Sequence, residues 1–90
     1  MYKRNEDFVL REIGGEYMII PTGKAVADVS GLITVSETSA FVWNLLEKPR
    51  TIEELVKHTV DTYEVPAPVA EADIRQLLAK LSILGMLVMG

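Results

Sequence analysis

The sequence predicts an α+β fold in which an antiparallel three-stranded sheet comes first and three helices follow. Three observations indicate it: β-branched and aromatic runs before residue 36, helical spacing of apolar residues after it, and short connections throughout. Ninety residues, 49% of them hydrophobic, are enough for one core and too few for two. We therefore expect a single domain over residues 1–90.

The predicted sheet has strands at about 7–13, 16–21 and 32–35. Apolar runs at Phe8–Ile13 and Tyr17–Ile20 flank Gly14-Gly15, and glycine reaches the positive φ angles of a tight hairpin turn. A looser connection from Thr22 to Gly31 follows, in which Ala25–Ala27 either extends the second strand or bulges from it.

Three helices are predicted at about 37–47, 52–64 and 68–84. Ser36 is a suitable N-cap for the first, and Thr51 with Glu54 has the spacing of a capping box for the second. Pro68 is well placed to open the third helix, and Gly85 to end it.

The first helix carries one apolar stripe and a tryptophan outside it. The stripe consists of Phe41, Val42, Leu45 and Leu46. Trp43 points away from these residues, which predicts a position at the flank of the core.

The two ends of the chain carry weaker signals. Residues 1–6 are polar and are expected to fray, whereas Met86–Met89 forms either a last short strand or a tail packed on the core. The order of strands and helices, with a helix-turn-helix-like unit, is best matched by a winged-helix arrangement.

No group of side chains has the composition of a catalytic or metal site. The chain lacks cysteine, and its one histidine, His58, lies off the apolar face of the second helix, where we expect it to be an ordinary surface residue. We therefore expect no enzymatic activity, no metal and no cofactor. Neither a signal sequence nor an apolar run of about 18 residues is present, so we expect a cytoplasmic protein without a membrane partner.

The charge balance argues against nucleic acid as a partner. Nine basic residues stand against thirteen acidic ones, and the acidic surplus continues through the helical half of the chain. A winged-helix DNA-binding regulator is kept as a lesser alternative. A structural subunit that forms a homodimer through Met86–Met89 is another, and it is compatible with a binding function.

The predicted strand at 32–35 suits a peptide-binding role if it lies at a sheet edge. Its free backbone groups would then pair with an extended peptide, and the third helix would supply pockets. Strand alternation places Ile33 and Val35 on one face and Leu32 and Thr34 on the other, so one pair belongs to the core and side chains alone do not establish a groove. Proline at Val35 is expected to weaken pairing provided that the Val35 N–H faces the peptide.

The chain resembles the PqqD family, the coenzyme PQQ synthesis protein D family, over about Phe8 to Leu87. Ser36 stands where many members have asparagine, and Ser39 where glycine is frequent; both changes leave the expected fold intact. The segments that carry the resemblance are Gly31–Leu46, Arg50–Val56, Tyr63–Val65, Ala72–Leu81 and Leu84–Leu87.

This resemblance implies a non-catalytic peptide chaperone, a RiPP recognition element with a winged-helix-like fold. Such proteins bind the leader of a ribosomally made precursor peptide and present it to a modifying enzyme. That enzyme is a radical SAM protein in the namesake pathway and a leader peptidase in lasso-peptide systems. The leader adds to the third predicted strand and lies against the third helix. Carried onto this chain, backbone pairing falls to Leu32, Ile33, Thr34 and Val35, and side-chain contacts fall to Asp73, Gln76, Leu77 and Lys80.

Overall fold

The structure, a computed structural model, describes residues 1–23 and 32–89. Its elements, in chain order, are strands β1 (Tyr2–Arg4), β2 (Phe8–Ile13), β3 (Glu16–Pro21) and β4 (Ile33–Val35), helices α1 (Glu37–Leu45), α2 (Ile52–Tyr63) and α3 (Ala67–Ile83), and strand β5 (Leu87–Met89). The α+β class is confirmed, with antiparallel sheets and four of the strands preceding the three helices. The predicted alternatives for Ala25–Ala27 lie outside the described residues.

The three-stranded antiparallel sheet is formed with the order β2-β3-β4. Its hairpin turn has Gly14 at φ 60° and Gly15 at φ 84°, the two left-handed positions that a two-residue type I′ turn requires. The hairpin prediction is therefore confirmed, and β4 lies at one edge of the sheet that the described residues form.

The expectation that residues 1–6 fray is wrong. Strand β1 pairs antiparallel with β5, with Lys3 opposite Val88, and the two form a second sheet of their own. Tyr2 also exchanges backbone hydrogen bonds of 2.7 and 2.9 Å with Arg50. The pairing joins the two ends of the chain, so a pattern of neighbouring residues carries no sign of it.

The core is formed where the helices pack on the inner face of the three-stranded sheet. Its members are Phe8, Ile19, Val42, Trp43, Leu46, Leu55, Ile74, Leu77, Leu78, Leu81 and Met86. Trp43 is only 1% exposed, so its predicted position at the flank of the core is corrected: α1 is covered on more than one side, and a residue outside its main stripe still reaches the interior. No helix in the described ranges has the length and hydropathy to cross a bilayer.

Both predicted N-caps are confirmed. The Ser36 hydroxyl accepts a hydrogen bond from the Ser39 N–H at 3.1 Å. At the start of α2, the Thr51 hydroxyl accepts from the Glu54 N–H at 3.2 Å, and the Glu54 carboxylate accepts from the Thr51 N–H at 2.9 Å. The bond from the Thr51 N–H lowers the pKa of Glu54 below its ordinary value, and a weaker bond that the Thr51 hydroxyl donates to Glu54 Oε1 at 3.2 Å adds to this effect.

Replacing Thr51 with alanine is expected to lower the free energy of unfolding by about 1 kcal/mol, because one N–H of the first turn of α2 loses its partner. A group with a lowered pKa stabilises the fold above its unfolded-state pKa and loses that effect as the pH falls through its folded-state pKa. The alanine variant keeps the Thr51 N–H, the main cause of the lowered pKa, and loses the hydroxyl that donates to Glu54 Oε1 at 3.2 Å. Most of the difference from wild type should therefore persist in acid, and only a smaller part should be lost as the pH falls through the pKa of Glu54. Urea unfolding across that range measures it, with the exposed Thr62→Ala in the same helix as control; equal losses in the two variants would contradict the capping assignment.

Candidate functional site

The register of the sheet determines which backbone groups of β4 are free. The Thr22 N–H donates to the Asp7 carbonyl at 2.6 Å, in the same register that pairs Met18 with Arg11. Bonding pairs alternate along an antiparallel ladder, so even-numbered residues of β3 bond to β2 and odd-numbered ones bond to β4. Consequently the backbone N–H and C=O groups of Tyr17 and Ile19 point toward β4.

The partners of those two residues are Val35 and Ile33. The N–H and C=O groups of Ile33 and Val35 are therefore directed at β3, and those of Thr34 point to the open edge. An extended chain at this edge would exchange two hydrogen bonds with Thr34, and the outward groups of the neighbouring positions, the Leu32 carbonyl and the Ser36 N–H, would extend the ladder. The sheet thus offers a short row of alternating backbone donors and acceptors.

A groove of about 430 Å³ opens beside this edge. Two walls are formed by β4 with its following cap and by α1; these contribute Thr34, Val35, Ser36, Thr38, Ser39 and Val42. The opposite side is formed by α2, by the connection that follows it and by α3, which contribute Thr59, Val65, Ala70, Asp73, Ile74, Gln76, Leu77 and Lys80.

The groove has an apolar floor and polar margins. Val42, Ile74 and Leu77 are core residues that also line the groove. Thr59 is buried beside them, and its hydroxyl donates to the Leu55 carbonyl at 2.8 Å, so this polar group adds no unpaired donor to the floor. Such a surface accepts apolar side chains in the middle and polar groups along the rim.

The wall formed by α1 is held in place at its first turn and at its middle. The Ser36–Ser39 cap fixes its first turn, and the ring of Phe41 packs edge-on against Tyr63 of α2 with centroids 5.3 Å apart. Burial, and then the nearby Glu37 carboxylate, raise the pKa of Tyr63. The Thr38 and Ser39 side chains of this wall therefore belong to a helix that is capped at its start and packed against α2.

The structure brings six of the eight predicted site residues to this groove. They are Thr34, Val35, Asp73, Gln76, Leu77 and Lys80. Leu32 lies just before β4 with 49% of its surface exposed, and Ile33 packs against the core instead. The residues that bind a ligand stay a prediction. The alternation of hydrogen bonds between β3 and β4 restricts backbone pairing with a ligand to alternate positions, of which Leu32 and Thr34 are among the predicted ones.

Sequence reasoning missed the α1 side of the groove. Thr38 and Ser39 fall within the predicted first helix at about 37–47, and no binding role is predicted for them. Their place beside an edge strand was still indicated, because Ser36 follows β4 without a loop and the first turn of α1 must then adjoin the strand. His58 is exposed on α2, as predicted, and does not line the groove. Within residues 1–23 and 32–89, no three acidic or histidine side chains are grouped in a way that suits a metal ion.

Two solved structures share this fold. One is described as TbiB1 in complex with the TbiA(beta) leader peptide; it is 24% identical, with 94% of this chain and 93% of that chain covered and a TM-score of 0.72. The other is described as lasso peptide synthetase B1 complexed with the leader peptide, at 17% identity, 98% coverage of both chains and a TM-score of 0.74. At these identities the likeness establishes the common fold. A comparison with curated proteins finds no match.

A family model gives the more direct assignment. It matches residues 9–87, a span that includes the β2–β3 hairpin, β4 and all three helices. The match therefore covers every element that forms the groove. The chain belongs to the family of coenzyme PQQ synthesis protein D (PqqD).

Proposed function

We propose that this protein is a non-catalytic RiPP recognition element that binds the leader segment of a ribosomally made precursor peptide and presents it to a modifying enzyme. The leader adds as a strand to the open edge of β4 and lies against α3, in a domain of winged-helix type that acts in the cytoplasm. The proposed contact region consists of the edge segment Leu32, Ile33, Thr34 and Val35, in which Leu32 and Thr34 carry the outward backbone groups, together with Asp73, Gln76, Leu77 and Lys80 of α3.

The observation that carries the proposal is the free edge of β4 directly beside the groove. Strand addition needs unpaired backbone groups in a row, and side-chain specificity needs a neighbouring pocket. Here Thr34 supplies the outward backbone groups and also lines the groove with Leu77. The family assignment supports the same function, since this chain's resemblance to the PqqD family implies leader binding.

Two classes of enzyme are proposed as alternatives for the one that receives the peptide. A radical SAM enzyme follows from the family's namesake pathway. A lasso-peptide system is favoured by one of the two similar structures, which is described as a lasso peptide synthetase B1 bound to a leader peptide; in such a system the resemblance implies a leader peptidase. To discriminate between them, the tagged protein is co-expressed with any radical SAM enzyme or leader peptidase encoded near its gene. The enzyme that co-purifies with it is the partner.

Titration of a synthetic leader into ¹⁵N-labelled protein tests the function. The peptide is taken from a short reading frame next to the gene, and a scrambled peptide of equal composition is the control. We expect micromolar affinity, about −8 kcal/mol, and shifts of the amides from Leu32 to Ser36 and along the Asp73–Lys80 side of α3. The β1–β5 sheet should stay unchanged. Equal shifts with the scrambled peptide, or shifts confined to β1–β5, would overturn the proposal.

A further inference from the structure

The side of α3 that faces the groove bears two opposite charges at a fixed separation. Asp73 and Lys80 both line the groove, and both side chains are exposed. They are seven residues apart, which is two helical turns or about 10.5 Å along the axis. Gln76 lies between them on the same side, so the order along this wall is acid, amide, base.

Neither charge is neutralised by another described residue. The ion pairs within residues 1–23 and 32–89 join Lys3 to Glu6, Lys57 to Asp61 and Arg75 to Glu71. On α3 itself, Arg75 and Glu71 pair with each other on another side of the helix. Among residues 1–23 and 32–89, Asp73 and Lys80 thus have no ion-pair partner and can pair with a ligand.

The remaining features of the groove do not fix the register of a bound strand. A strand that slips by two residues keeps its hydrogen bonds to Thr34 and keeps the same side chains on the same face. The apolar floor is equally tolerant, because burial of apolar surface is non-directional. Asp73 and Lys80 are the charged residues among those that line the groove, and their signs differ.

We propose that Asp73 and Lys80 set the register and direction of the bound peptide by pairing with one cationic and one anionic side chain of that peptide. This inference rests on the proposed function and names the chemistry of its ligand. Residues that share a face of an extended strand recur about every 6.7 Å, so the two charged residues of the ligand are separated by two or four positions. Such pairs act through specificity more than through affinity, because a wrong register places like charges together.

Selection from a display library of random peptides tests the inference without knowledge of the natural leader. The library is selected in parallel on the wild type, on the charge-exchanged variant Asp73→Lys/Lys80→Asp, and on the control Lys57→Asp/Asp61→Lys, which exchanges an exposed pair on α2. All three proteins have the same net charge. We expect the wild-type and control binders to share one order of basic and acidic residues, and the binders of the exchanged groove to have the reverse order.

Direct affinities give the second measurement. A selected wild-type peptide and the same peptide with its two charged residues exchanged are titrated into both groove forms. Each should prefer its matching protein by about 10-fold, and the preference should fall with added salt because the pairs are exposed. Binders without a common charge order, or an order that the exchange leaves unchanged, would overturn this inference and leave the proposed function standing. A library that yields no binder sensitive to the edge variant Thr34→Pro would overturn both.

Discussion

Replacing Thr34 with proline is expected to remove most of the leader affinity while the domain stays folded. Proline lacks the N–H that Thr34 directs at the open edge, and its ring occupies the place of the incoming strand. The ladder between β3 and β4 is untouched, since it runs through Ile33 and Val35. Proline is tolerated at such outward positions of an edge strand.

The expected size of the loss follows from what the peptide leaves unpaired. A carbonyl that loses its donor on binding costs about 1–3 kcal/mol, which corresponds to roughly a 5- to 150-fold weaker dissociation constant. Isothermal titration with the leader measures this change. The circular dichroism spectrum and the melting temperature measure whether the fold is retained.

Two variants serve as matched controls for the Thr34 change. Glu12→Pro removes an outward N–H from β2, the opposite edge of the same sheet, and should leave the affinity unchanged. Thr34→Val keeps the backbone donor and removes only the hydroxyl, so it should bind within a few-fold of wild type. Equal affinity of Thr34→Pro and wild type, in a folded protein, would exclude strand addition at β4.

The same register shows why Val35 is the wrong position for this test. Sequence alternation places Thr34 and Val35 on opposite faces but does not say which N–H points out of the sheet. That depends on the register between β3 and β4. The two-residue turn at Gly14-Gly15 determines which residues of β3 bond to β2, and therefore which remain to bond to β4. The condition attached to proline at Val35 is therefore not met: its N–H bonds to β3, and the change would damage the sheet itself.

The predictable parts of the fold are those coded by neighbouring residues. Ser36 and the pair Thr51 and Glu54 act within one helical turn, and Gly14-Gly15 acts within one hairpin, so each could be located from spacing alone. The pairing of β1 with β5 joins residues more than 80 positions apart, and nothing local in Tyr2–Arg4 indicates it. The same distinction applies to the site. The family resemblance predicts contacts from β4 and α3, whereas the contribution of α1 to the groove depends on how the elements pack in three dimensions.

Truncation of Trp43 to alanine is expected to have the largest effect on stability. The side chain is 1% exposed within the core cluster, and removal of a buried aromatic side chain typically costs about 3–5 kcal/mol. Small domains have about 5–15 kcal/mol in total, and a 90-residue chain belongs near the lower end. A substantial fraction of the variant should therefore be unfolded at physiological temperature.

Trp43 is the only tryptophan, so urea unfolding of the variant is followed by circular dichroism instead of fluorescence. Asn44→Ala is the control, because Asn44 is the next residue of α1 and is exposed; it should change the free energy of unfolding by less than about 0.5 kcal/mol. Similar losses in the two variants would mean that Trp43 is not a core residue.

The Trp43 variant also connects stability with binding. A ligand that binds only the folded state adds about 2.7 kcal/mol when present at 100 times its dissociation constant. If the leader occupies the groove between β4 and α3, an excess of it should restore most of the melting temperature that Trp43→Ala loses. The scrambled leader should restore none. Recovery with the true leader would show that the peptide binds the folded domain and that the groove keeps its arrangement without the Trp43 side chain.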